Sequence, residues 1–377
     1  MKQIALEKFD LDSLAPNGLR RGRTTGSCAT AAVKVALYLM LRGEYRIQVP
    51  ITLPDHQHYL VIPIQSVQWI DEQSVRAEVI KDGGDDPDNT HGATIFAIVC
   101  KNNLGKIRFF AGKGVGIATQ PGLRVAVGEP AINPVPRLMM QQAVAEVLGN
   151  DSPVGFDLTI GCENGEIIAQ KTFNPRLGIV GGISILGTSG IVEPLSLASW
   201  IASIEVYVRV ALGGDASSIA LLPGKIGRSY AKETLALSPQ RTVQIANFLG
   251  DALDFMQQAL VEEQRKLEVL WLLGHPGKLA KVLADVWNTH SSKSEMAMTV
   301  VAGVAFDLNF SGDLVQTIAR ANTVEAIVEI LQHQANSTVL WLEIERRIAA
   351  LVHKRTPAVS RVEVRLFNLN GKPLGAA

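Results

Sequence analysis

Short apolar runs that end near Gly or Pro alternate with longer helical segments through the second half of the chain. The runs are Ile183–Leu186, Ile219–Leu222, Val243–Phe248 and Val269–Leu273, with a last one near Val362–Phe367. Between them, apolar residues recur at helical spacing, as at Leu197, Trp200, Ile201 and Ile204. Strands that alternate with helices predict a mainly parallel sheet flanked by helices. We therefore predict an α/β, Rossmann-like domain over residues 176–377.

The first half of the chain has a strand-rich pattern instead. Apolar residues alternate with others at Ile47, Val49, Ile51 and Leu53, and again at Val75, Ala77 and Val79. A helix over about Cys28–Leu39 precedes these strands, with Thr24 or Thr25 as its cap. Another helix is expected near Arg137 to Leu148, after a segment rich in Pro and Gly. We predict an α+β domain over residues 1–175.

Composition limits the partners of the chain. With 377 residues it is longer than one hydrophobic core usually serves. Lys plus Arg and Asp plus Glu balance at 36 each, so no overall field favours nucleic acid or an anionic membrane. The longest apolar stretch, Ile179–Val192, is interrupted by glycines and is shorter than the roughly 18 residues of a membrane span. We expect small-molecule ligands. Composition neither requires nor excludes assembly into a homo-oligomer.

The cysteines and the N-terminus indicate a reducing, cytoplasmic location. Cys28, Cys100 and Cys162 are widely spaced and include no C-x-x-C pair. The first ten residues contain charged side chains and no apolar core, which is unlike a signal peptide.

Three arginines, Arg20, Arg21 and Arg23, stand directly before the hydroxyls of Thr24 and Thr25 at the predicted helix start. A helix N-terminus presents free N–H groups and a partial positive charge, so it favours a carboxylate or phosphate. The alternative is an ordinary capped helix with solvated arginines.

Four carboxylates lie within seven positions of the segment Lys81–Gly92. Asp85, Asp86 and Asp88 would suit a cationic group, but by composition alone a solvated turn is the better explanation. The order of residues is not that of a calcium loop, and the sequence offers no assembled set of metal ligands.

Two glycine-rich segments follow. Phe109–Gly116 contains G-x-G-x-G with Lys113 inside it, but no helix can begin directly after it because Thr119-Gln120-Pro121-Gly122 comes next. Asn174–Gly190 contains glycines that include Gly181, Gly182 and Gly187, hydroxyls at Ser184, Thr188 and Ser189, and Arg176. Its glycines would allow close backbone approach to a bulky ligand. Tight turns between strands are the alternative.

Gly274-His275-Pro276-Gly277-Lys278 follows a predicted strand and opens a helix, which is where open α/β sheets bind ligands. It is not a P-loop, because Leu279 stands where that motif needs Ser or Thr. We predict one helix from His275 to Thr289-His290, which would separate the two histidines by about 20 Å. Lys293 follows as a further cation.

Taken together, these segments resemble the cobalt-precorrin-5B (C-1)-methyltransferase family, the CbiD type. The matching stretches are Thr24–Ala29, Gly84–Gly92, Gly114–Leu123, Asn174–Gly190, Gly274–Lys281 and Thr289–Ser291. They occur in the family's order, while the stretch after about residue 295 carries no matching motif.

The resemblance implies methyl transfer from S-adenosylmethionine (SAM) to C-1 of a cobalt-bearing macrocycle, with cobalt only as part of the substrate. The carboxylate arms of the macrocycle call for cations and hydroxyls, and the suppliers that we predict are Arg20, Arg21, Arg23, Thr24, Thr25, Lys113, Arg176, Ser184, Thr188, Ser189, Lys278 and Lys293. For SAM we predict Asp85, Asp86, Asp88, Gly181, Gly182, Gly187, Gly274 and Gly277. His275 or His290 would act as a general base. A corrinoid carrier without turnover is the alternative.

Overall fold

A computed structural model describes residues 6–149, 154–290, 297–334 and 336–375. The chain divides into two compact units, Met1–Ser196 and Leu197–Ala377. Both contain helices and sheets, so the mixed α/β class predicted from the sequence is confirmed at that level.

The first unit is built on strands. They are β1 (Glu7–Lys8), β2 (Gly22–Arg23), β3 (Gln48–Thr52), β4 (His58–Pro63), β5 (Ser66–Trp69), β6 (Ser74–Ile80), β7 (Thr94–Asn102), β8 (Ile107–Ala111), β9 (Gly114–Val115), β10 (Ile117–Ala118), β11 (Gly155–Cys162), β12 (Ile179–Val180), β13 (Gly182–Ile183) and β14 (Ile191–Val192). The helices are α1 (Thr25–Arg42), α2 (Pro134–Leu148) and α3 (Gly165–Ala169), with a 3₁₀ turn at Asn174–Leu177.

A five-stranded sheet in the order β5-β6-β7-β11-β8 forms the centre of this unit. All its pairs are antiparallel except β11 with β8. The alternation read from the sequence appears in β6, where Val75, Ala77 and Val79 are fully buried and belong to the same apolar core as α1. Thr24 caps α1 at its start, and Gly43 ends it in the left-handed conformation that glycine favours.

The predicted boundary near residue 175 differs from the division in the structure, where residues 176–196 pack with the first unit. The reason is strand pairing: β12 pairs with β10, β13 with β9 and β14 with β2. The apolar run Ile183–Leu186 was predicted as a strand of the parallel sheet, and that prediction is wrong. Only Ile183 lies in a strand, and its partner is Val115 of β9.

The second unit is an α/β layer structure. Its strands are β15 (Ser218–Leu222), β16 (Thr242–Gln244), β17 (Leu267–Gly274) and β18 (Val359–Leu366). Its helices are α4 (Leu197–Leu212), α5 (Arg228–Glu233), α6 (Leu249–Glu262), α7 (Pro276–Leu279), α8 (Met298–Asp307), α9 (Gly312–Ala319), α10 (Val324–Leu331) and α11 (Ser337–Arg355), with 3₁₀ turns at Pro239–Arg241 and Ala280–Ala284.

The four strands form one sheet in the order β16-β15-β17-β18, and every pair is parallel. Ile219 and Leu221 of β15 join the large apolar core of this unit. Ala220 and Leu222 alternate with them and pack with Ala231 of α5 in a separate cluster. The sheet is therefore covered on both faces, as parallel sheets usually are.

The single helix predicted from His275 to His290 is wrong. The chain forms α7 over four residues, tightens into the 3₁₀ turn at Ala280–Ala284, and then turns at Asp285 with φ 58°. A separation of about 20 Å between the two histidines therefore no longer follows from helix geometry. No helix among the described residues is long and apolar enough to cross a membrane.

Candidate functional site

At the start of α1, backbone N–H groups and hydroxyls are already hydrogen-bonded to other protein groups. The N–H of Gly26 donates to Leu186 O at 3.0 Å, and those of Ser27 and Cys28 donate to the side chain and carbonyl of Thr24, each at 3.1 Å. Thr25 Oγ1 accepts from Leu186 N at 2.9 Å. Both threonines are buried. The Thr25 hydroxyl therefore fastens the glycine-rich segment to α1, whereas the Thr24 hydroxyl caps the helix itself.

The arginines before α1 also have protein partners. Arg20 pairs with Asp82 at 3.0 Å, and Arg21 Nε lies 2.6 Å from Glu193. The Nη1 of Arg21 donates to the carbonyls of Ser13 and Leu14. Arg23 differs, because its Nε is buried without a hydrogen-bond partner among the described residues.

The acidic turn is organised around a buried ammonium group. Lys81 is 2% exposed, and its Nζ lies 2.5 Å from Asp88 Oδ2. Burial alone would raise the pKa of Asp88, but the Lys81 charge and hydrogen bonds from Thr90 outweigh burial and lower it. Asp88 therefore compensates an interior charge, which is costly to leave alone.

Asp85 and Asp86 join this turn to neighbouring segments. Asp85 Oδ2 accepts from Arg20 N at 2.7 Å, and Asp86 Oδ1 accepts from Leu195 N at 2.9 Å. The backbones also approach closely: a Cβ on Gly22 would lie 2.2 Å from the carbonyl carbon of Gly83. The acidic turn and the arginine segment thus form one interlocked structure.

The glycines of the Asn174–Gly190 segment have different surroundings. Gly182 pairs with Gly114 so closely that a Cβ on it would lie 2.1 Å from Gly114 O, and one on Gly187 would lie 2.6 Å from Thr24. A Cβ on Gly181, by contrast, would meet nothing within 4 Å. Strand pairing explains Gly182, and close packing on Thr24 explains Gly187, so Gly181 is the one of the three that faces open space.

The hydroxyls of this segment are also of two kinds, one buried and two exposed. Ser184 is buried and bonds to Asn174 Oδ1 at 3.3 Å. Thr188 and Ser189 are exposed, and Ser189 Oγ closes a local turn with Ile191.

An exposed surface next to Gly181 combines cations with apolar groups. Val180 is 60% exposed, and Lys113 precedes Gly114, the residue paired with Gly182. Arg176 lies over the Phe173 ring at 5.8 Å, and both side chains are exposed. We call Lys113, Phe173, Arg176, Val180 and Gly181 the unit-1 surface. Its chemistry suits a flat apolar ligand with carboxylates at its edge.

In the second unit, the carboxyl ends of the parallel strands are level. Leu222 of β15 lies beside Gln244 of β16, and Gly274 of β17 lies beside Leu366 of β18. The chain leaves β15 toward β16 on one side and returns to β17 on the other. Such a reversal of strand order is where open α/β sheets form a ligand crevice. We call this place the switch point.

His275 is held at the switch point through both ring nitrogens. Nδ1 accepts from Gly277 N at 3.0 Å, and Nε2 lies 2.8 Å from Glu325 Oε2. The tautomer that satisfies both contacts carries its proton on Nε2. The lone pair that a general base needs is therefore engaged in the turn itself.

Lys278 connects the two loops that flank the switch point. Its Nζ donates to Pro223 O at 2.9 Å. Burial, with Lys281 nearby, lowers the pKa of Lys278. A desolvated ammonium of this kind binds an anion more strongly than a solvated one, because the effective dielectric constant is lower.

His290 follows Thr289, whose N–H donates to Asn247 O at 3.0 Å beyond the end of β16. Thr289 is 3% exposed, and its hydroxyl has no hydrogen-bond partner among the described residues. Lys293 lies outside the described residues. Across the described parts of the chain, no group of His, Cys, Asp or Glu could hold a metal ion.

The sequence alone does not single out the loop Pro223–Gly227 after β15, although this loop borders the switch point. Its signal was available: Pro223-Gly224-Lys225-Ile226-Gly227 follows the apolar run Ile219–Leu222 directly. A Gly-x-x-Gly loop after the first strand of a βαβ unit is a weak motif by itself. Strand order was needed to give it significance.

These features define a two-unit α/β protein whose second unit contains a parallel sheet with a reversal of strand order. The CbiD family matches residues 12–194, and the CbiD C-terminal domain family matches residues 288–377. The chain belongs to the CbiD family.

Curated relatives cover nearly the whole chain. A protein of Chromobacterium violaceum is 60% identical over 98% of this chain and 98% of its own length, and one of Ralstonia nicotianae is 60% identical over 100% and 98%. One of Moorella thermoacetica is 38% identical over 95% and 94%. All three are named cobalt-precorrin-5B C(1)-methyltransferase.

Among solved structures, the cobalamin biosynthesis protein (cbiD) of Archaeoglobus fulgidus matches at 25% identity, covering 74% of this chain and 86% of its own. The TM-score is 0.38, so the two chains do not superpose closely enough to compare positions.

Proposed function

We propose that this protein is a cobalt-precorrin-5B C(1)-methyltransferase that uses SAM as methyl donor, and that it works in the cytoplasm. The observation that carries the proposal is the 60% identity over 98% of the chain to a relative of that name. The three free cysteines of the described chain agree with a reducing compartment.

Methyl transfer requires the protein to align the two reactants and does not require a covalent intermediate with the protein. C-1 of the macrocycle supplies an electron pair to the methyl carbon of SAM while the carbon–sulfur bond breaks. That bond's electron pair stays on sulfur, which leaves as the neutral thioether of S-adenosylhomocysteine. Holding the carbon and the methyl group in line contributes roughly 7–11 kcal/mol. Cobalt is part of the substrate.

We assign the macrocycle to the unit-1 surface. Exposed Val180 and Phe173 offer apolar contact for a flat ring, and Lys113 and Arg176 are exposed cations for its carboxylate arms. Arg20 and Arg21 contribute less to this assignment, because each already has a carboxylate partner. Thr188 and Ser189 are exposed enough to reach a ligand.

We assign the donor to the switch point of the second unit. Gly274 and Gly277 bring the backbone there, and Lys278 is a partly desolvated cation that suits the donor's carboxylate. His275 shapes the turn in this proposal, since both its nitrogens are engaged. The acidic turn is not needed for the donor, because Asp85, Asp86 and Asp88 have partners of their own.

The test is anaerobic incubation of the purified protein with cobalt-precorrin-5B and methyl-labelled SAM, followed by mass spectrometry of the macrocycle. One labelled methyl group at C-1, with one equivalent of S-adenosylhomocysteine released, is expected. Tight binding of the macrocycle without label transfer would overturn methyl transfer and favour a corrinoid carrier.

A further inference from the structure

The loop Pro223–Gly227 has two glycines in opposite surroundings. Gly227 has φ 91°, and a Cβ there would lie 2.8 Å from Leu273 Cβ, so this glycine lets the loop pack on β17. Gly224 is different, because a Cβ built on it would meet no atom within 4 Å. Its backbone is also partly exposed. The loop therefore packs at its far end and leaves open space at Gly224.

Strand register places this open glycine beside an exposed amide. Leu222 pairs with Gln244, so the last residue of β16 lies next to the start of the loop. Gln244 is exposed, and its Oε1 accepts from Arg228 Nη2 at 2.9 Å. That contact orients the amide and leaves its NH₂ group and a second lone pair on Oε1 available to a ligand.

On the other side, the loop is fixed to the switch point. Gly274 lies so close to Pro223 that a Cβ on it would be 3.3 Å from Pro223 Cδ. Lys278 donates to the carbonyl of Pro223. Gly224 thus lies between Lys278, which fastens the loop after β17 to Pro223, and the amide of Gln244 at the end of β16.

This is the arrangement by which doubly wound folds hold a nucleoside. The glycine loop after the first strand lets the ligand approach the backbone, and an Asp or Glu at the end of the second strand, about 20 residues on, bonds the ribose hydroxyls; an amide oxygen can accept the same hydrogen bonds. In this chain the first strand is β15, the second is β16, and the side chain is Gln244.

We propose that Gly224 and Gln244 form the binding site for the adenosyl part of the methyl donor, with Gln244 recognising the ribose diol. The inference rests on the proposed methyl transfer and adds residues that its donor site lacked. It puts the nucleoside over β15 and β16, and the amino-acid end of the donor toward Lys278. The G-x-G-x-G segment at Gly112–Gly116 has no part in it.

The experiment measures S-adenosylhomocysteine binding to the whole protein by calorimetry, without macrocycle. Gly224→Leu fills the open space and is expected to weaken binding roughly tenfold or more. Gly312→Leu is the matched control, because a Cβ on Gly312 also meets nothing within 4 Å. It should bind as the wild type does. Thermal unfolding confirms that both variants are folded.

Gln244→Ala keeps the inference testable if the loop variant does not fold, because this side chain is exposed. Wild type should bind the 2′-deoxy analogue roughly tenfold more weakly than S-adenosylhomocysteine, and Gln244→Ala should bind the two ligands about equally. A structural role of Gln244 would weaken both ligands alike and leave the discrimination unchanged.

The outcomes distinguish a failure of this site from a failure of the proposed methyl transfer. Unchanged affinity in both variants, or unchanged discrimination in Gln244→Ala, would overturn this site while methyl transfer stands. If wild type bound no S-adenosylhomocysteine at all, the donor proposed above and this site would fall together.

Discussion

Nε2 of His275 and Oε2 of Glu325 lie 2.8 Å apart, and this contact connects α10 to the turn after β17. The same carboxylate reaches the next strand end, because Glu325 Oε1 accepts from Leu369 N at 3.3 Å. Both side chains are largely buried, at 17% and 21% exposed. Glu325 therefore braces the loop after β17 through His275 and the segment after β18 directly through Leu369 N.

Replacing Glu325 should disturb donor binding through His275. Glu325→Ala removes a charged acceptor, which costs about 1.5–3 kcal/mol of stability, and should raise the Kd for S-adenosylhomocysteine several-fold. Glu325→Gln keeps an oxygen for the His275 proton and should recover most of the affinity. Calorimetry measures both, and Glu329→Ala, at an exposed position of the same helix, is the control. Equal loss in the Gln and Ala variants would contradict the brace.

The acidic turn should prove structural. Asp88→Ala leaves the Lys81 ammonium buried without its counter-charge, which should lower the free energy of unfolding by about 3–5 kcal/mol. Asp85→Ala removes a half-exposed carboxylate and should cost about 1 kcal/mol or less. Urea unfolding measures both, and affinity for S-adenosylhomocysteine should be unchanged in the folded variants. A stable Asp88→Ala protein that no longer binds S-adenosylhomocysteine would instead indicate that the acidic turn binds the methyl donor.

The pH dependence of this pair has a definite sign. The pKa of Asp88 is lowered in the folded protein from 3.8, so the folded state holds this proton less tightly than the unfolded state. Its contribution is fully present above the unfolded value, and it is lost as the pH falls through the folded pKa. Wild type should therefore lose more stability than Asp88→Asn on going from pH 6 to pH 3, as followed by circular dichroism.

The helix α1 and the strand β6 show how far local pattern could be read. Thr24 caps α1, and Val75, Ala77 and Val79 alternate into the core, because each depends on residues a few positions apart. The anion site expected at Thr24 and Thr25 needed distant information. Leu186, 161 residues from Thr25, provides the groups that satisfy both its hydroxyl and the Gly26 N–H.

The switch point also shows that local sequence pattern does not identify residues that only the strand order brings together. Gly274–Lys278 was identified because it directly follows an apolar run. The importance of Pro223–Gly227 and Gln244 depends on the position of β15 between β16 and β17, which a local pattern does not contain. The helix after His275 was overestimated because apolar spacing continues through Val286 and Trp287, whereas the left-handed Asp285 ends it.

Charge reversal on the unit-1 surface should affect the macrocycle and spare the donor. Lys113→Glu combined with Arg176→Glu should raise the KM for cobalt-precorrin-5B by roughly tenfold or more, since carboxylate arms would meet like charges. The Kd for S-adenosylhomocysteine should not change. Lys101→Glu combined with Lys106→Glu, exposed positions of the same unit, is the matched control. A similar KM for both double variants would place the macrocycle elsewhere.

Glu345 should make the second unit less stable as the pH rises. Only 4% of the residue is exposed. Its Oε1 accepts from Leu366 N at 2.7 Å, whereas Oε2 has no hydrogen-bond partner among the described residues. Burial raises the pKa of Glu345 to about 7. The hydrogen bond from Leu366 and the Arg365 charge oppose this increase without cancelling it, and the Glu363 charge adds to it.

The folded state therefore binds this proton more tightly than the unfolded state, whose value is near 4.5. Stability should fall as the pH rises from about 4.5 to 7 and then level off, by up to about 3 kcal/mol. Glu345→Gln still accepts from Leu366 and cannot ionise, so it should match wild type near pH 4.5 and be more stable at pH 8. Urea unfolding at the two pH values measures this difference. Glu268→Gln, at an exposed position of β17, should show no such gain; an equal gain there, or none in Glu345→Gln, would contradict the assignment.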